Sequence, residues 1–405
     1  WTGDTAALGT APVAPFLSRA LLTVPATPVA LTATYKPAPA WTPNNVTTFN
    51  PQTVTGANNA TTTVSTTLAY HIPANAAGIV FLLHDTPGSL TEWFNRPEQI
   101  LLLRDLVAAG YGVAALNSLN RTTGAWAAQT VLTNNLDALN HIAALEKFAR
   151  DGVLAATKPV FFLGMGNGAV SAAGFAELLA RATPARPVKG AVLYCSSGNA
   201  TLSVVSRVPQ FIALADNDEN IGPAGLATAR ANAQIMVGRG IATVNATNMV
   251  SPVHQGRFRA LGVNAATFTE ADAQAIWTAL KNAGLFDTNN YLKSIPTTAA
   301  LTAALPSAYR ARAADVAAQL GVAFASRVFF SDFNARVINF LDARVAGTPG
   351  PTPGRLVNLS TLTKIASVGD TFALGFNISG PQKATLLIRG IGPGLAQFGL
   401  AGALT

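Results

Sequence analysis

The chain has 405 residues, enough for two or three units, with 49% apolar and only 11% charged residues and a net charge of +8. No apolar run reaches the roughly 20 residues that a membrane-spanning helix needs, so no transmembrane segment is expected. The 27 Lys and Arg are scattered without a basic run or interleaved aromatics, which argues against nucleic acid as a partner, and the single Cys195 excludes disulfide staples and cysteine metal sites.

Residues 1–75 are rich in Pro, Thr and Asn, with alternating pieces such as "TTTVSTTLAYHI" that suit edge strands or an extended N-terminal arm. The chain opens at Trp1 with neither a charged n-region nor an apolar h-region, and Lys is scarce beside Thr, Asn and Ala. This predicts a secreted or cell-surface protein whose signal peptide has been removed. From Gly78 apolar strands alternate with alanine-rich helical patterns, the signature of a parallel sheet covered by helices. Strands are expected at 78–84, 111–117, 158–164, 189–195, 209–215 and 240–246. A helix over 269–284 carries an acidic first turn and a terminal glycine, and two or three more helices complete a main domain spanning 76–345. The segment "AGTPGPTPG" (346–354) reads as a linker, since prolines and glycines at that density continue neither helix nor central strand. Beyond it, 355–405 alternates at period two and reads as a small all-β module that stops early. An unfinished sheet exposes strand edges, which predicts a homo-oligomer, a filament or a surface assembly formed through those edges.

The chemistry centres on "FFLGMGNGA" (161–169), an apolar strand entering a glycine turn and a small-residue helix. This is the G-x-S-x-G frame of a nucleophile elbow with Gly166 at the serine position. The acid and the base are sought after it in chain order. "DNDENIG" follows the strand "PQFIALA" and offers Asp218, with Asp216 as second choice; "TNMVSPVHQGRF" offers His254, whose ordinary pKa near neutrality suits a general base. His84 ends the first core strand in "HDTPG", where an oxyanion loop would stand, so the backbone N–H groups of Thr86 and Asn167 are the candidate oxyanion donors. His71 and His141 read as solvated or structural, and Ser196 and Ser197 as turn residues. Trp93 and Trp126, in loops at strand ends, read as a stacking platform or as packing. Only "SSGNATLSVVSRV" separates the two strands before the acid, too little for a lid, so a shallow open site is expected. No residue pattern calls for a cofactor or a metal.

On "GMGNGA", "LLHDTPG", "LADNDENIG" and "SPVHQGRF", the region from about 65 to 290 resembles the secreted bacterial α/β-hydrolases related to polyhydroxybutyrate depolymerases and feruloyl esterases, whose elbow often reads G-[LM]-S-N-G-[AG]. The resemblance implies an α/β-hydrolase fold and hydrolysis of an ester or polyester through a covalent acyl-enzyme. Two departures stand against that activity. Gly166 has no hydroxyl for Asp218 and His254 to activate, and Asp85 replaces the glycine of the oxyanion loop, where a carboxylate opposes developing negative charge. Two altered elements point to relaxed catalytic constraint in the natural protein, a single engineered substitution being the alternative. One reading is therefore a non-catalytic hydrolase-fold protein used in extracellular binding or assembly. The other is a secreted carboxylesterase or polyesterase in a nucleophile-deleted form. The C-terminal module resembles a β-rich repeat of large exported bacterial proteins ("RLVNLST", "LLIRGIGPGLAQFG").

Overall fold

The computed structural model describes residues 61–346 apart from 266, together with the strand segments 2–3, 31–32 and 44–55. Eight strands form one sheet: β1 (Asn44–Thr55), β2 (Thr61–His71), β3 (Gly78–Leu83), β4 (Tyr111–Leu116), β5 (Val160–Met165), β6 (Val188–Tyr194), β7 (Gln210–Ala215) and β8 (Thr243–Asn248). Their spatial order is β8-β7-β6-β5-β3-β4-β2-β1, with β2 antiparallel to both of its neighbours and every pairing from β4 to β8 parallel. This is the strand order of an α/β-hydrolase. The six strands expected from the sequence are β3 to β8. Of the two strands from the segment expected to hold an arm or edge strands, β1 is the edge of the sheet and β2, paired on both sides, an inner strand. The physical reason is composition: a Thr-rich, β-branched run fits a pleated sheet, and Leu68 and Ala69 of β2 are both buried.

Strands β3, β4 and β7 are buried at every position, as befits parallel strands covered on both faces. Ile79, Phe81 and Leu83 point to one face, against α3 (Leu136–Arg150), α4 (Asn167–Ala180) and α6 (Gly222–Gly238). Val80 and Leu82 point to the other, against α2 (Pro97–Ala108) and α10 (Asn334–Val345). The remaining helices are α1 (Glu92–Asn95), α5 (Ala200–Val205), α7 (Glu270–Asn282), α8 (Thr298–Ala304) and α9 (Ala313–Ala323). α7, α8 and α9 share a third apolar cluster built around Phe258, Ile276, Leu280, Leu301 and Leu320.

α7 begins where its sequence signals place it. Thr269 caps the helix by accepting from the Asp272 N–H, while the Asp272 carboxylate accepts from the Thr269 N–H at 2.6 Å. Gly284, with φ +74°, follows its last turn. Thr269→Ala is expected to lower stability by about 1 kcal/mol, the usual worth of such a cap, read as a shift of the urea midpoint with unchanged m.

No helix among the described residues is long and apolar enough to cross a membrane. The chain divides into two units, 1–354 and 355–405; the linker from 347 and the whole C-terminal module lie outside the described residues.

Candidate functional site

Parallel strands bring the C-terminal ends of β3, β5, β6 and β7 to one edge of the sheet, and the loops there hold Asp85, Gly166, Cys195 and Asp218. At the elbow, β5 turns into α4 through Gly166 at φ +57°, ψ −116°. That backbone conformation is strained for any residue with a side chain. The flanking glycines answer a different need, close approach. A Cβ on Gly164 would lie 2.7 Å from the Ala169 nitrogen, and one on Gly168 would lie 2.5 Å from the Leu83 carbonyl oxygen.

The volume above Gly166, where a nucleophile's side chain would project, is filled. A Cβ built there would collide with Arg327 Nη2 and Asp85 Oδ1 and would lie 2.6 Å from Asp85 Cγ. Arg327 Nη1 and Asp85 Oδ2 form an ion pair at 2.5 Å, both side chains being largely buried. The other carboxylate oxygen, Asp85 Oδ1, accepts hydrogen bonds from the Thr86 N–H at 2.8 Å and the Asn167 N–H at 2.9 Å. These are the two donors that the sequence nominates for an oxyanion hole. They converge on one point, and an aspartate of the same chain stands there. The position at the start of α4 adds the favourable end of a helix dipole to those bonds. The Asn167 side chain completes the corner by donating from Nδ2 to Thr86 Oγ1 at 2.9 Å.

Asp85 is held in this pose by His84. The His84 ring is buried and neutral: Nδ1–H donates to the Asp85 carbonyl at 2.7 Å, and Nε2 accepts from the Ser118 N–H at 3.2 Å. Burial is the chief cause that brings its pKa down to about 4, with the Asp85 carbonyl opposing. The Trp126 indole N–H bonds the His84 carbonyl at 2.9 Å from within the core. Trp126 and Trp93 are both buried packing residues, and neither forms an exposed stacking platform.

Asp218 is buried at the end of β7. Its Oδ1 accepts from the N–H groups of Asn220 at 3.0 Å and Ile221 at 3.3 Å and stands 3.9 Å from Arg327 Nε; Oδ2 has no partner. Burial pushes its carboxyl pKa up. Asp216 is more exposed and lies 4.0 Å from Arg230. His254 is exposed ahead of a 3₁₀ segment (Gln255–Asn264). Among the described residues it makes no hydrogen bond or ion pair with Asp218, Asp216 or the elbow. The structure thus joins Gly166, Thr86, Asn167 and Asp218 around Arg327 and leaves His254 outside that network. Ser196 and Ser197 serve as turn residues: Ser196 Oγ accepts from the Gly198 N–H, and the Ser197 carbonyl accepts from Asn232 Nδ2. His71 lies on β2, and His141 is a core residue of α3.

The residue that sequence reasoning missed is Arg327. It lies in the strap 324–329 that follows α9 and crosses the C-terminal edge of the sheet. Asn217 pins the strap by two bonds of 2.8 Å, its N–H to the Ala325 carbonyl and its side chain to the Phe324 carbonyl. Glu219 Oε2 accepts from the Arg327 N–H at 3.3 Å. The site is consequently covered where it was expected to be open. The connection from β6 to β7 is short, but the cover comes from later in the chain. Beside the site lies a cleft of about 210 Å³ whose lining includes Asp85, Glu92, Met165, Gln319, Arg327 and Phe329. Among the described residues no cluster of His, Cys, Asp and Glu has the arrangement of a metal site.

No family model matches the chain, and no curated protein does. Solved structures of esterases align with about half of it. A thermostable carboxyl esterase from Bacillus coagulans aligns with 49% of this chain and 88% of its own, at 11% identity and a TM-score of 0.37. An esterase of Pyrococcus furiosus covers 55% of this chain and 88% of its own (11% identity, TM-score 0.36). A Thermogutta terrifontis esterase, solved after reaction with tabun, covers 52% and 84% (14% identity, TM-score 0.34).

Proposed function

We propose that this chain is an α/β-hydrolase-fold protein of esterase ancestry that performs no hydrolysis and serves outside the cell in binding or assembly. The observation that carries this reading is the fate of the oxyanion donors. An acyl transfer needs backbone N–H groups free to meet an oxyanion as it develops. Here both are already bonded to a carboxylate whose charge is balanced by Arg327, and the nucleophile's place is taken by the same ion pair. The general base is outside the network as well. Three requirements of the reaction fail together, so restoring one of them restores nothing.

The test is an assay of the purified protein and of Gly166→Ser on short p-nitrophenyl esters and on a polyester film. Both are expected to stay at the rate of buffer, with no burst and no labelling by a fluorophosphonate probe. Turnover by the protein as it stands would overturn the reading. Turnover by Gly166→Ser that is lost on His254→Ala and Asp218→Ala would establish the nucleophile-deleted esterase instead.

A further inference from the structure

In a sheet of parallel strands each covering helix returns the chain to the opposite, N-terminal edge, so the helix-to-strand connections gather there. In this protein those connections share a chemistry. The segments linking α3 to β5, α4 to β6, α5 to β7 and α6 to β8 contribute Lys158, Arg181, Arg186, Arg207 and Arg239, and the last turn of α3 adds Lys147 and Arg150. The acids among them are Asp151, paired with Lys147 and Arg150, and Glu146 and Glu177, paired with Arg186 and Arg181, so the cations stay in excess. Lys189, exposed at the start of β6, adds to them.

Hydrogen bonds join these segments into one continuous surface. Arg186 Nη2 reaches Glu146 of α3 at 2.6 Å, and Arg181 Nη2 donates to the Val205 carbonyl at 3.1 Å. Arg239 Nη1 donates to the carbonyls of Ser203 and Ser206 at 2.8 and 2.9 Å. The same edge exposes aliphatic side chains: Val153 (41%), Val204 (52%), Val205 (43%), Ile235 (40%) and Val237 (44%).

We infer that this edge docks onto an anionic lipid surface, the cations meeting headgroup phosphates and the valines and Ile235 entering the boundary between headgroups and acyl chains. Cations alone would fit any polyanion. The aliphatic side chains among them decide for lipid, because a polysaccharide or a nucleic acid would leave them in water, whereas a bilayer interface takes both kinds of group. The surface faces away from the elbow and does not depend on how that site is read.

The experiment is co-sedimentation of the full chain with vesicles of phosphatidylcholine alone and of phosphatidylcholine with phosphatidylglycerol, at low and high salt. Binding is expected to the anionic vesicles only and to weaken steeply with salt. The side chains of Lys189 and Arg207 make no hydrogen bond or ion pair among the described residues, so Lys189→Gln/Arg207→Gln is expected to keep the melting temperature. It should lower the partition coefficient roughly thirtyfold, each cation near such a surface contributing about fivefold. Val204→Ser/Val237→Ser is expected to weaken binding at both salt concentrations. Equal binding to neutral vesicles, unchanged partition of the first variant, or retention on a heparin matrix without vesicle binding would each overturn the inference, the last in favour of a polysaccharide.

Discussion

Gly166→Ser is expected to unfold more easily than the chain with Gly166 by about 3–5 kcal/mol, a fall in melting temperature on the order of 10 °C, without gaining esterase activity. In an active serine hydrolase the same residue fits its elbow. Here the new Cβ overlaps Arg327 Nη2 and Asp85 Oδ1 alike, so both partners of a largely buried ion pair have to shift. The carboxylate is moved off the two N–H groups that Oδ1 accepts from and away from its counter-charge, and uncompensated buried charge is the costly outcome. The backbone term is smaller: a side chain at φ +57°, ψ −116° costs about 1–3 kcal/mol. A double-mutant comparison separates the two. In an Asp85→Gly/Arg327→Ala background, serine at 166 should cost only the backbone term, and the difference is the coupling between the serine and the ion pair. Identical losses in the two backgrounds would show that the pair does not compete for the nucleophile's place.

The ion pair ties the loops at this edge of the sheet together. Asp85 belongs to the loop after β3, Asn167 to the start of α4, Asp218 to the loop after β7, and Arg327 to the strap from the C-terminal helices. A single guanidinium therefore ties two loops of the sheet to the extension that covers them, and through Asp85 the start of α4 as well. Preorganised donors that serve a transient oxyanion in an enzyme serve equally well to hold a permanent carboxylate. The difference is that a permanent occupant stabilises the resting state, whereas catalysis needs an interaction made only in the transition state.

Much of this was legible in the sequence because it is local. An apolar run that ends in G-M-G-N-G can only leave a strand by a tight turn, and the buried strands β3 to β7 announce themselves by nearly continuous apolar runs. The donors Thr86 and Asn167 could be named because they neighbour recognisable turns. The meaning of Asp85 could not be read. As a charge beside an oxyanion hole it looked like an obstruction, and it became an occupant only when Arg327 was found beside it, more than two hundred residues later in the chain. Nothing in "AFASRVFF" marks Arg327 as part of a site, since its position is set by the packing of α9 and by Asn217. His254 shows the converse. Its place in the chain order was right for a base, yet Ser251 and Val253 are bonded to Ala323 and Asn290 and the ring is left exposed. The basic edge escaped notice for the same reason as Arg327: its cations are scattered along the chain, and only the topology of a parallel sheet collects them.

His141→Leu is expected to flatten the acid limb of the stability curve by about 3 kcal/mol between neutral pH and pH 4. The ring of His141 is fully buried among Phe81, Phe162, Phe175 and Trp126, at centroid distances of 4.9 to 5.9 Å. Nδ1–H donates to the Asp137 carbonyl at 2.7 Å and Nε2 has no partner, so no neighbour stabilises a second proton. Burial brings its pKa from 6.5 down to about 4, the Asp137 carbonyl only partly opposing. Because the folded value lies below the unfolded one, the unfolded chain binds more protons in this window. Stability is full above pH 6.5 and is lost as the pH falls toward 4; at 1.36 kcal/mol per unit the interval corresponds to roughly 3 kcal/mol. The buried carboxyls of Asp137, Asp218 and Asp342 are shifted up and act with the opposite sign, stabilising at low pH and less so as it rises. The total slope is therefore a sum, and the difference between natural chain and variant isolates the histidine. Leucine is close in volume and leaves no unpartnered nitrogen, so the neutral-pH stabilities should agree to within about 1.5 kcal/mol, with the variant ahead at pH 4. Urea titrations at a series of pH values measure this directly, and parallel curves for the two proteins would mean that His141 takes up its proton without opening the core.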